Sequence, residues 1–332
     1  YSFSMFKSTS LILISFLLLI PNISNSKNYK RNFIAWGTNL DFIIVTTLDH
    51  EKVNKIIIET QKIVTNMNLV FNNYDQKSEI SAFNELDKNK ELVISKDFFY
   101  LINKSIESNQ MTNGYFDITI GKVSREISFN KNESKSLSKQ GLEDSLNNCS
   151  GINKLILNSK KSSIKKRVGC LQIDLGGIAE GYALKLMLNN LKSHGIKDAL
   201  INFGGNISTM SSAEDWNVSL RAPEDKFSNF LEFRLNNLSL STSSQYSKKI
   251  KIGDELFSHI IDPKQNQLKD YANISISVIH SDPVFADMMS TALISMPLNV
   301  AIREMKNSTK FKSIVLIKDS SGKTKEIFNN FN

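Results

Sequence analysis

Residues 172–187, QIDLGGIAEGYALKLM, constrain the fold more than any other stretch of the chain. An apolar strand over 171–174 runs into the pair Gly176-Gly177 and re-emerges as a helix over 178–191. Glycine lets the main chain approach a bound group closely, and the free N–H groups and positive dipole end of the following helix favour an anion placed there. The spacing is neither G-x-G-x-x-G nor G-x-x-x-x-G-K-[ST], so neither the dinucleotide fingerprint nor the P-loop follows from it. Two readings of the junction stay open: a phosphate cradle, or a tight turn with Asp174 as a cap beside the helix.

The rest of the chain supplies a core for that junction. Val53, Ile56, Ile57, Val64, Met67 and Phe71 recur at three- and four-residue steps and predict a long amphipathic helix ending near Asn72. Phe98, Leu101, Ile102 and Ile106 predict a second helix, while the polar stretch 124–148 reads as a surface segment with one short helix around Leu142. Short strands follow over 154–157, 199–203, 216–221, 230–235, 274–279 and 313–317, with a further helix over 284–295. No internal repeat or Pro/Gly linker divides them, so the pattern is mixed α and β around one connected core. With 41% hydrophobic and 22% charged residues in 332, the chain can bury such a core and is neither disordered nor a multispan protein. The net charge of +8 is scattered, with no aromatic interleaving, and no nucleic-acid partner is expected.

Lys7, the apolar run 11–20, Pro21 and the triplet Ser24-Asn25-Ser26 have the order of a secretory signal peptide. Residues 1–26 are therefore read as a signal peptide or an uncleaved amino-terminal anchor, and 27–332 as one exported, periplasmic domain. In an oxidising compartment Cys149 and Cys170 could pair around the lysine-rich stretch 160–167, or remain two free thiols.

Three more segments could carry chemistry. In SDPVFADMMSTALISM, residues 281–296, Asp287 and Thr291 lie four apart on one helical face. A carboxylate and a hydroxyl there suit magnesium completed by substrate phosphates, or else are a helix-start charge and a packing residue. In FSHIIDPKQNQ, residues 257–267, His259 could be an acid, a base, a phosphate contact or a structural residue. No His-based metal spacing, G-x-S-x-G elbow or Cys-His context for a covalent hydrolase is present. The stretches 112–121, 201–208 and 241–249 join apolar residues to Gly or Ser turns, and together suggest a pocket lined by main chain.

Taken in order, these segments resemble the ApbE family, the FAD:protein FMN transferases. The resemblance covers nearly the whole chain after residue 27. AWGT at 35–38 resembles the family's A-M-G-T, and FNNYDQKSEISAFN at 71–84 its F-S-x-Y-x-x-x-S-E-L-S-x-x-N. GYFDITIG, DLGGIAEGYA, INFGGNI, HIIDP and ADMMSTA follow in family order.

The resemblance implies an α+β fold of two lobes around an FAD cleft. It also implies a magnesium-dependent transfer in which a Thr hydroxyl of an acceptor protein takes FMN from FAD through a phosphoester bond and AMP leaves. By position, the Gly177 carbonyl, Asp287 and Thr291 take the metal-ligand roles, and Asp174 and Glu180 contact FAD beside the Gly turn. Trp36, Tyr74, Tyr115, Phe116 and Asp117 would contact the flavin or adenine end, aromatic rings being suited to stacking on either. His259 and Ile261 would flank the phosphates, with His259 as proton handler or phosphate contact and Asp287 as the second catalytic residue. The implied partner is a membrane redox-complex subunit carrying a Thr-containing motif. This chain departs from the family pattern at Trp36 for Met, Glu180 for the commoner Lys, and Ser244 and Asn266 for Gly. Two other uses of the same residues stay open: an FAD pyrophosphatase giving FMN and AMP, and a flavin-binding protein without turnover.

Overall fold

Asp49 caps the first helix: its side chain accepts from the Lys52 N–H, and Val53, Ile56, Ile57, Thr60, Val64, Met67 and Phe71 form one buried face down to Asn72. The computed structural model describes residues 26–129, 138–212, 214–223 and 229–331. The expected leader therefore lies outside the described residues, apart from Ser26. No helix of the described residues is long and apolar enough to cross a membrane.

The chain opens with the hairpin β1 (Lys27–Ala35) and β2 (Thr38–Thr46), then α1 (His50–Phe71), α2 (Glu79–Asn84), β3 (Leu92–Val93) and α3 (Lys96–Met111). It continues through α4 (Gly121–Phe129), α5 (Lys139–Cys149), β4 (Leu155–Asn158), β5 (Ser163–Lys166), α6 (Ala179–Ser193), β6 (Asp198–Phe203) and β7 (Asn206–Met210). Next come β8 (Trp216–Arg221), β9 (Asn229–Leu235), β10 (Ser239–Ser244), β11 (Lys249–Ile252), β12 (Glu255–Asp262) and β13 (Gln267–Asp270). The last elements are β14 (Ile274–His280), α7 (Pro283–Ser295), α8 (Leu298–Asn307), β15 (Lys312–Lys318) and β16 (Thr324–Asn329).

An eight-stranded sheet in the order β1-β2-β6-β7-β10-β14-β15-β16 organises the molecule. All its pairings are antiparallel. One face carries the main apolar core with residues of α1, α3, α6, α7 and α8. The other is covered by the β8–β9 hairpin through Trp216, Val218, Leu220, Leu231, Phe233 and Leu235. Helix α7 is buried on nearly every side, and its Ser290 and Thr291 hydroxyls meet Ser243 of β10. Ser241 lies two residues away on the same strand face, so short side chains there let the helix lie close to the sheet.

Two sequence expectations change. Residues 171–174 join no strand: Gln172 makes a single isolated bridge to Ile120. The segment's main chain is instead satisfied piece by piece. The Asn84 side chain accepts from Ile173 N at 2.7 Å and donates to Ile173 O at 3.0 Å, while Asp174 N donates to Ile118 O. A side-chain amide thus takes the place of a neighbouring strand. The stretch read as surface, 124–148, holds most of α4 and α5, whose Ile127, Leu142 and Leu146, with Val123, pack on Ile250, Phe257, Ile261 and Leu268 of the small β11-β12-β13 sheet. Residues 130–137 of that stretch lie outside the described residues. Cys149 and Cys170 are paired, which ties the end of α5 to the start of the 171–177 segment.

Candidate active site

The site begins where the start of α6 meets the side of α7. A Cβ on Gly181 would sit 2.4 Å from Pro283 O and 2.7 Å from Asp287 Cβ, and one on Gly177 would sit 2.7 Å from Thr291 Cγ2. Only glycine fits at both points, so what these residues supply is closeness between the two elements. Gly181 was not singled out by the sequence reading; its signal was a glycine inside a helical pattern.

Into that contact α7 projects Asp287. Its Oδ2 accepts from Gly181 N at 2.8 Å and its Oδ1 from Asn206 Nδ2 at 3.3 Å. The same Asn206 amide donates to Glu180 Oε2 at 2.8 Å. Asn206 lies just past Gly204 and Gly205, both with positive φ, in the turn from β6 to β7. The buried Asp287 and the half-buried Glu180 therefore share one amide, and Asp287 has the Gly181 N–H as well. Burial pushes the Asp287 carboxyl up to about 7. Burial, then the charge of Asp287, pushes Glu180 up to about 8.

This arrangement alters the expectation for the helix start. Ile178 offers no side-chain cap, and the Gly181 N–H that would greet an anion is occupied by a carboxylate of the protein itself. The crowded carboxyls favour either a proton or a cation at the junction. Thr291, one turn beyond Asp287, donates to the Gly177 carbonyl at 3.4 Å and lies 3.4 Å from Ser243 Oγ. A carbonyl, a hydroxyl and a carboxylate thus come together, with a second carboxylate alongside. Hard oxygen donors with excess negative charge fit a magnesium-like cation. Among the described residues no group of three or more His, Cys, Asp or Glu side chains could hold a metal ion, so a cation here would rely on this mixed oxygen set.

The other residues singled out in the sequence have separate places. Asp174 accepts from Gly176 N at 2.8 Å and from the Ser124 hydroxyl, which fastens the Gly turn to α4. Trp36 and Gly37, with φ of 51° and 77°, form the two-residue turn of the β1–β2 hairpin. The Trp36 ring packs on Phe203 at 5.2 Å between centroids. Tyr74 is 67% exposed. Tyr115 and Phe116 are buried, and Lys264 Nζ lies 5.0 Å from the centroid of the Tyr115 ring. Asp117 accepts from Thr119 N at 2.8 Å and Thr119 Oγ1 at 2.6 Å, yet burial still raises its carboxyl above the ordinary value.

His259 lies where the β12–β13 register is irregular, with Nε2 3.4 Å from Ser247 Oγ. Burial, then the charge of Lys248, holds the imidazole below its ordinary value, which favours the neutral ring. It makes no hydrogen bond to the Asp287 cluster. The Ile261 side chain is in the α4–α5 core. Asn266 adopts φ 53°, the left-handed conformation that Asn tolerates in place of Gly.

Known proteins agree in family and fold. The ApbE family pattern matches residues 36–315. A FAD:protein FMN transferase of Buchnera aphidicola subsp. Schizaphis graminum is 30% identical over 232 residues, covering 68% of this chain and 68% of that protein. One of Chlamydia muridarum is 25% identical over 291 residues, 86% and 90% of the respective chains. The solved structure of the flavin transferase ApbE from Vibrio cholerae superposes with a TM-score of 0.79 at 19% identity, covering 92% of this chain and 98% of that one. The apo form of the Pseudomonas stutzeri flavinyl transferase ApbE gives 0.80 at 18% identity, covering 93% and 96%. At these identities the structural likeness concerns the fold.

Proposed function

The chain belongs to the ApbE family, and from that premise we propose that it is a magnesium-dependent FAD:protein FMN transferase acting on a Thr hydroxyl of an exported or membrane-bound redox subunit. The observation that carries the reading is the carboxylate pair Asp287–Glu180 joined through Asn206, with the Gly177 carbonyl and Thr291 alongside. Such a cluster calls for a cation, and a cation at the mouth of a Gly turn calls for phosphate.

Gly177 O, Asp287 and Thr291 would hold the magnesium, which when bound neutralises charge on the pyrophosphate and improves AMP as a leaving group. Glu180 adds the second negative charge, and Asn206 and the Gly181 N–H orient Asp287. In the transfer, the acceptor hydroxyl attacks the phosphorus on the FMN side of the pyrophosphate. The bond to the bridging oxygen breaks, and AMP leaves with the electron pair. His259, whose burial favours the neutral imidazole, takes the proton released by the hydroxyl. The signal-like leader supports an exported site of action, in the periplasm or at the cytoplasmic membrane.

The test is a mass spectrum after incubating the purified protein with FAD, magnesium and a Thr-containing acceptor peptide. A gain of one FMN on the peptide, dependent on metal, is the expected result. AMP and free FMN with an unlabelled peptide would make the protein a pyrophosphatase, and unchanged FAD would make it a binding protein.

A further inference from the structure

Residues 171–177 carry the Gly177 carbonyl to Thr291 without a neighbouring strand along their length. Their tertiary hydrogen bonds begin at Leu171, whose carbonyl accepts from Lys166 Nζ at 3.0 Å, and continue through Asn84 to Ile173. Just before Leu171 the chain runs over the surface: Gly169 and Cys170 are exposed, and a Cβ on Gly169 would meet nothing within 4 Å. The bond from Cys170 to the buried Cys149, at the end of α5, anchors that stretch. Helix α5 in turn packs through Leu142 and Leu146 in one apolar cluster with Phe257 and Ile261 of β12, the strand that carries His259. One covalent bond thus joins the segment that ends in Gly177 to the part of the fold that holds His259. A third group meets that bond. The start of α4 lies against the same segment, where a Cβ on Gly121 would sit 2.4 Å from the Ile173 carbonyl carbon. The next residue, Lys122, places its Nζ 3.8 Å from Cys149 Sγ. An ammonium there favours the Cys149 thiolate over the thiol.

We propose that the Cys149–Cys170 disulfide is a redox-responsive tether of the active site: oxidised, it fixes the Gly177 segment relative to the His259 side, and opened by a dithiol, it frees the segment and lowers turnover. The effect on turnover rests on the flavin-transfer reading given above; the tether itself does not. A thiolate of the dithiol attacks the sulfur of the exposed Cys170. The S–S bond breaks, and its electron pair goes to Cys149, which leaves as a thiolate beside Lys122. The second thiolate of the dithiol then attacks the mixed disulfide and releases Cys170. The two protons of the dithiol end on the two cysteines, and the dithiol is left oxidised to its own disulfide. Reoxidation restores the tether. A chain that forms this bond only after export reaches full activity only there.

The experiment follows amide hydrogen exchange by mass spectrometry, together with AMP release from FAD and magnesium, in the purified full chain before and after dithiothreitol. The same is done for Cys149→Ala/Cys170→Ala, which should match the reduced parent and ignore dithiothreitol. Exchange over 171–177 is expected to speed up roughly tenfold on reduction, with α1 and β6 unchanged, and AMP release is expected to fall by a similar factor. Lys122→Met keeps the bond but not the ammonium, so its reduction by dithiothreitol should be roughly tenfold slower, with turnover of the oxidised form unchanged. Equal protection of 171–177 in both redox states, or full AMP release from fully reduced protein, would overturn the tether. So would a loss of protection that extends through α1 and β6, since the bond would then staple the whole fold. If the oxidised parent released no AMP, the flavin reading would fail, and the exchange comparison would still decide the tether.

Discussion

Cations and carboxylates drawn into the interior of this molecule are treated differently. Lys166 is fully buried, and its ammonium donates to Asn84 O at 2.8 Å and Leu171 O at 3.0 Å and lies 5.6 Å from the Phe83 ring centroid. Lys269 donates to the carbonyls of Ile294, Ser295 and Met296 at the end of α7. Burial lowers both ammonium groups, Lys269 to about 8. Each cation nonetheless has the main-chain oxygens it needs, and what it does is fasten chain segments. Asp287 is also buried, but it and the half-buried Glu180 share one amide, and the charge of Asp287 raises the Glu180 carboxyl. The two ammonium groups are thus architecture, whereas the crowded, like-charged carboxyls are where the proposed cation would be held.

The sharpest way to break this contrast is Asp287→Asn. The amide keeps an oxygen for the Gly181 N–H but cannot complete a cation site. AMP release at saturating FAD and magnesium is expected to fall by roughly a thousandfold or more, while Tm holds or rises. Retained turnover would remove the metal assignment.

A second test uses pH. Both carboxyls titrate in the folded protein above their ordinary values of 3.8 and 4.5. The metal-free fold therefore has their full contribution below about pH 4 and loses it as pH rises through about 7 to 8. For one carboxyl carried from 3.8 to about 7, this is on the order of 4 kcal/mol. The magnesium-induced rise in Tm is accordingly expected to be small at pH 5.5 and several degrees larger at pH 8; a rise independent of pH would separate the pair from the metal.

The smallest effect belongs to the satisfied side. Lys166→Met leaves two carbonyls without a donor and is expected to cost about 3 kcal/mol in denaturant unfolding. Turnover of the folded protein should stay within a few-fold of the parent. A stable but inactive Lys166→Met protein would mean that this ammonium is part of the site as well.

Much of this was legible in the sequence. Helices α1, α3, α6 and α7 announce themselves by periodicity, and the inner strands by short apolar runs between turns. The edge strand β1, KNYKRNFIA, gave no apolar alternation because Tyr29 is its one fully buried residue. Among the described side chains of helix α4, Val123 and Ile127 are the ones in a buried apolar cluster, too few to show a period. Residues 171–174 read as a strand because their apolar pattern is that of one, and nothing local reveals that Asn84, 89 positions away, replaces the neighbouring strand. At the site, the resemblance pointed to Gly177, Asp287 and Thr291, which the fold brings together. The role of Asn206 was hidden, since it depends on two carboxylates distant in sequence meeting at one amide. Lys166 looks like its solvated neighbours in the lysine-rich stretch.

The most direct test of the cation site is calorimetric titration of magnesium into the metal-free protein and into Asp287→Asn at pH 7.5, in two buffers of different ionisation enthalpy. One site is predicted in the parent protein, with an enthalpy that changes with buffer because the raised carboxyls release protons on binding, and no binding in the variant. Equal affinity in both proteins, or an enthalpy independent of buffer, would contradict the claim that the Asp287–Glu180 pair is the seat of the cation.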